Sequence, residues 1–126
     1  MNETVKEWVD KAEADFATAE RELLVTDRPN YDAVCFHAQQ AVEKLMKALI
    51  IHRGGTPSKT HRLLLLDQEL GEICAVWKSD KDNLRMLSRA AVDFRYPGEK
   101  ADFEEASESV EISRELSSRL LVILNK

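Results

Sequence analysis

The chain has 126 residues, of which 44% are hydrophobic and 33% charged, a balance that excludes a disordered chain and is long enough to fold without disulfides or metal. Its longest apolar runs, Leu63–Leu66 and Leu120–Leu124, fall far short of the roughly 20 residues of a bilayer span. No basic-then-apolar N-terminal segment reads as a signal peptide, so a cytoplasmic protein with no membrane partner is expected. With 18 basic against 23 acidic residues the net charge is −5, which disfavours a nucleic-acid binder with a basic body.

Taken in chain order, the periodicity predicts helices throughout. Val5, Trp8, Val9, Ala12, Phe16, Ala19 and Leu23 fall on one face of a first helix that ends before Asp27-Arg28-Pro29. A second runs from about Tyr31 to Arg53 and stops at Gly54-Gly55. A third starts near Thr60, a residue suited to an N-cap, and carries Leu63, Leu66, Leu70, Ile73, Cys74 and Trp77. A fourth carries Leu84, Leu87, Ala91 and Phe94 and closes at Pro97-Gly98; the last begins at Asp102, with Glu105 placed to complete a capping box. No segment alternates with period two. The expectation is one all-α domain over residues 1–126, an up-and-down antiparallel bundle of four to five helices joined by short connections.

The second helix is not simply amphipathic. Val34, Ala38, Ala41, Leu45, Ala48 and Leu49 form a core arc, while Phe36, His37, Gln40, Glu43, Lys44, Lys47 and Ile51 share the opposite one. A face that mixes aromatic, amide and charged groups suits a partner surface or ligand cleft, with Phe36, Gln40 and Ile51 as dimer-interface candidates. It suits equally a helix buried nearly all round, with Glu43 and Lys47 as an i, i+4 ion pair.

From Lys44 to Arg62 there are five basic residues (Lys44, Lys47, Arg53, Lys59, Arg62), two histidines and no acid, so the rest of the chain sums to −10. Such a local positive region attracts phosphate or an acidic partner, or is a solvated face. Lys44, Lys47, His61 and Arg95 are the candidate residues for a phosphate or nucleotide site. Arg95 is equally suited to a structural pair with Asp93 or Glu43. The loop from His52 to Arg62 has paired glycines and a Lys-Thr step. It fails the phosphate-loop pattern, because Arg53 and Ser58 stand where that pattern needs glycine and no strand precedes it. No histidine pair sits at metal-binding spacing on one helix, and Cys35 and Cys74 have no C-x-x-C partner, so no metal, cofactor or disulfide is expected.

The run AVCFHAQQAVEKLMKAL at Ala33–Leu49, P-x-x-T-H at Pro57–His61 and RYP at Arg95–Pro97 together resemble the HEPN domain. The resemblance implies a compact helical bundle, generally a homodimer, often encoded beside a minimal nucleotidyltransferase and found in toxin–antitoxin systems. Members that cleave RNA carry an arginine, four to six residues, then a histidine. Here eight residues separate Arg28 from His37 and seven separate Arg53 from His61. The chain is therefore more similar to the non-catalytic branch that binds nucleotide or serves as a partner subunit, and no catalytic residue is assigned. Two alternatives stay open: a divergent ribonuclease using His61 with Arg53 or Arg95, and a purely structural dimerisation domain.

Overall fold

The computed structural model describes residues 1–93 and 96–126; Phe94 of the expected fourth-helix stripe and the candidate Arg95 lie outside them. Among the described residues five helices make an all-α bundle: α1 (Glu3–Leu23), α2 (Tyr31–His52), α3 (Leu63–Ile73), α4 (Lys81–Asp93) and α5 (Phe103–Leu124). Among the described residues no strand forms, and no helix is long and apolar enough to cross a membrane.

The helix ends follow from local chemistry. Asn2 accepts the Val5 amide at 2.8 Å and Asn30 accepts that of Ala33 at 3.0 Å, each satisfying a donor left free by the first turn. Asp80 accepts the amides of Asp82 and Asn83 in the same way ahead of α4. At α5 the expected capping box is complete: Asp102 accepts the Glu105 amide at 2.8 Å and Glu105 accepts the Asp102 amide at 3.1 Å. At the end of α2, Gly54 takes φ +86°. Its amide donates to the Ile51 carbonyl and that of Gly55 to Ile50, both at 2.9 Å. This is a Schellman stop, in which the left-handed residue is best a glycine.

The third helix departs from expectation at both ends. Thr60 does not cap it; Thr60 Oγ1 instead accepts the Arg62 amide at 3.1 Å, a local turn, and the helix begins at Leu63. At the other end the helix stops at Ile73, yet Trp77 is still buried, 5% exposed. Its indole N–H reaches back to Asp67 at 2.8 Å, and the same carboxylate accepts from Ser79 Oγ at 2.9 Å and Lys81 Nζ at 3.3 Å. A buried indole needs an acceptor, and Asp67 supplies it where a continued helix would not.

Helix α2 is the centre of the bundle, with Val34, Cys35, Ala38, Ala41, Val42, Leu45, Met46, Ala48, Leu49 and Ile50 buried. Helix α1 runs antiparallel to it, since Asp15 meets His37 and Lys44 while Trp8 meets Lys47. Helix α5 runs parallel to α2: Asp32 accepts the Ala101 amide, Ser109 lies on Cys35, and Ser113 Oγ donates to the Ala38 carbonyl at 2.7 Å. Those small serine side chains leave room for the two backbones to approach.

The direction of α3 follows from the connection after α2. After the Schellman stop, residues 53–62 return along α2 as an extended strap. Gly55 packs against Ile50 and Ile73 at one end, and the His61 carbonyl accepts from Gln39 Nε2 at 3.1 Å at the other. Positions 39 and 52 are about 20 Å apart on a helix of 1.5 Å rise, and a ten-residue extended segment spans that easily. Helix α3 therefore starts again at the same end as α2. Helix α4 descends, from Lys81 at Asp67 to Ala91 and Val92 beside Leu63 and Phe36, and α5 ascends.

Candidate functional site

The polar arc of α2 meets two buried acids, one from α2 itself and one from α1. Glu43 is 2% exposed. Lys47, one turn on, donates to it at 3.2 Å, His61 Nδ1 lies 3.1 Å from both carboxylate oxygens, and Gln40 Nε2 donates at 3.2 Å. Gln39 Nε2 holds the His61 carbonyl, and its own Oε1 accepts from Gln40 at 2.9 Å. A carboxylate in this position without donors would cost several kcal/mol; here helix α2 and the end of the strap supply them all. The Lys47 ammonium also sits 5.6 Å from the centroid of the Trp8 ring, a cation–π contact.

The second acid is Asp15, on the buried face of α1. Its two oxygens take two side chains of α2: His37 Nδ1 at 2.8 Å on Oδ1, and Lys44 Nζ on Oδ2. The structure thus brings Lys47 and His61 together on Glu43 and directs Lys44 to Asp15, on the side of α2 that faces α1. The three do not converge on one cleft, because each lysine of α2 meets the nearer of two buried carboxylates. Asp15 and Gln39 were not singled out by sequence. Asp15 had a legible signal, an acid standing in the Val5–Ala12–Ala19 stripe; Gln39 had none.

Beside the Glu43 network lies a cleft of about 390 Å³, walled by Phe36 and Gln40 of α2, by His61, Arg62 and Leu64 at the start of α3, and by Ser88 and Val92 of α4. Phe36, 38% exposed, offers a ring edge and face. Ser88 Oγ is shielded from solvent with no hydrogen-bond partner among the described residues. The His61 side chain is 83% exposed, so with Nδ1 on Glu43 its Nε2 is open. Of the dimer-interface candidates, Phe36 and Gln40 line this cleft, whereas Ile51 lies about four turns along α2 and packs against the core.

Both thiols are buried. Burial pushes the Cys35 pKa up; the Ser109 hydrogen bond opposes this, and the acids Glu105, Asp32 and Asp102 add to it. Among the described residues no three His, Cys, Asp or Glu side chains gather as a metal site.

These features define a class: an all-helical bundle whose central helix carries a buried charged network beside a small polar-rimmed cleft. The HEPN domain family model matches residues 5–123, and the chain belongs to the HEPN domain family. The fold is similar to that of the protein TT1696 from Thermus thermophilus, with a TM-score of 0.73 at 23% identity over 92% of this chain and 94% of that one. It is also similar to ST0689, an archaeal HEPN homologue, with a TM-score of 0.69 at 18% identity over 95% of this chain and 97% of that one. No curated protein matches the chain in sequence.

Proposed function

We propose that this chain is a non-catalytic HEPN subunit that pairs with a minimal nucleotidyltransferase in a toxin–antitoxin module and holds a nucleotide in the cleft between α2, α3 and α4. The observation that carries the reading is the make-up of that cleft. Phe36 offers a surface for a base, Gln40 an amide, Arg62 a cationic rim for phosphate and His61 an open ring nitrogen beside it. Lys44 and Lys47 are already matched by Asp15 and Glu43, so the phosphate contact falls to the rim. The non-catalytic part rests on spacing. Arg53 ends α2 while His61 sits beside Gln39 and Glu43, ten or more residues back along the same helix.

Titration of ATP and AMP by calorimetry tests the reading. Heat that disappears in Arg62→Ala and weakens in Phe36→Ala is expected. No heat at millimolar nucleotide, where binding is weaker than about −4 kcal/mol, ends it. The same face supports self-association as a homodimer, because Phe36 and Val92 present exposed apolar surface side by side. Light scattering reads that directly: Phe36→Asp is expected to leave a folded monomer. A dimer that gives no nucleotide heat returns the protein to the structural-dimerisation alternative.

A further inference from the structure

Going beyond the nucleotide reading, we propose that the strap of residues 53–62 is a preformed docking ridge for a short acidic segment of a protein partner. Arg53, Lys59 and Arg62 are all exposed on it. None makes an ion pair among the described residues. They are the basic residues left over once Lys44 and Lys47 are matched by buried acids, and the strap itself contains no acid.

The backbone that carries them is held at intervals along its length. The Schellman hydrogen bonds and the close fit of Gly55 against Ile50 and Ile73 fix its start. The Glu69 carboxylate accepts from both the amide (3.1 Å) and the hydroxyl of Ser58 at its middle. Gln39 and Glu43 hold His61 at its end. A ridge fixed in this way loses little conformational entropy on binding, and its charges are set out over about 20 Å along α2.

The choice of an acidic polypeptide over nucleic acid rests on two observations. No aromatic side chain stands on the strap to stack a base. Beyond Lys44–Arg62 the chain sums to −10, so a long phosphate backbone would leave the ridge onto a repelling surface, whereas a segment with a few carboxylates fits within it.

The test uses a fluorescent hexaglutamate peptide, about 20 Å when extended, measured by anisotropy on the full chain at low ionic strength, with a single-stranded hexauridylate as the comparison. Neither Arg53 nor Lys59 lines the cleft, so ATP titration of the same variant reports on the nucleotide reading separately. The peptide is expected to bind, and Arg53→Glu with Lys59→Glu to weaken it at least about tenfold, as two reversed charge contacts imply. Lys6→Glu with Lys11→Glu, the same charge change on exposed positions of α1, is expected to leave affinity within about twofold. All proteins should melt together, since these side chains hold nothing in the fold. No peptide binding, equal weakening by both double variants, or tighter binding of the oligonucleotide overturns the proposal.

Discussion

Glu43→Ala tests whether the network at the cleft is held by its buried carboxylate. The substitution removes the acceptor from Lys47, whose side chain is 9% exposed, and from Gln40 and His61. The largest loss is the unpaired Lys47 ammonium, because a buried ion stripped of its partner costs about 3–5 kcal/mol. His61 adds little, since water replaces its bond. For a chain of this length each kcal/mol moves the melting temperature by about 3–6 °C, so a fall of roughly 10–30 °C is expected. Urea unfolding gives the same quantity as a free energy. The decisive comparison is Glu43→Leu with Lys47→Met, which replaces the pair by apolar volume and should recover most of the loss, because replacing both members of a buried pair is often neutral or stabilising. A single variant that costs under about 1 kcal/mol, or a double variant no better than the single, refutes the account.

Gly54→Ala forces a Cβ into the φ +86° conformation and should cost about 1–2 kcal/mol, read as an earlier urea midpoint with an unchanged slope. Asp102→Ala removes one half of the α5 capping box and should cost about 0.5–2 kcal/mol, measured in the same way. The raised Cys35 pKa keeps the group as thiol at pH values below it, so the thiolate that alkylates is scarce. Iodoacetamide at pH 8 should modify Cys35 only on unfolding, which intact-mass spectrometry follows.

The helices were legible because each rests on short-range chemistry. The stripe from Val5 to Leu23, the stop at Gly54-Gly55 and the Asp102–Glu105 box are all written within a few residues, and all three form. The path between α2 and α3 was not. Nothing in the run from Arg53 to Arg62 distinguishes a tight turn from a ten-residue return, because what fixes it is distant: Glu69 on Ser58, Gln39 and Glu43 on His61. Trp77 shows the same limit. Its helical spacing reads as one more turn of α3, but the buried indole takes Asp67 as its acceptor outside the helix. On the mixed arc of α2 the structure forms the expected i, i+4 pair and leaves one ring at the surface. Glu43 and Lys47 are the buried ion pair, and Phe36 is the exposed ring.

The site shows how a periodicity argument about charge goes astray. Lys44 and Lys47 lie on one helical surface, and spacing alone makes them partners for a shared anion. What separates them is the position of two acids, of which only Glu43 is tied to its lysine by local i, i+4 spacing, while Asp15 comes from another helix. Asp15, from α1, reaches Lys44, and Glu43, one turn before Lys47, is buried with it where α2 meets the end of the strap. Each lysine then contributes to the fold, and its charge is neutralised inside the molecule. Of the basic residues between Lys44 and Arg62, those exposed without an ion pair among the described residues include Arg53, Lys59 and Arg62 of the strap. The strap's path is held by Glu43 through His61, the same carboxylate that neutralises Lys47. Loss of that one side chain should accordingly loosen the end of the strap and leave the buried Lys47 ammonium without its partner, linking the packing of α2 to the position of the strap.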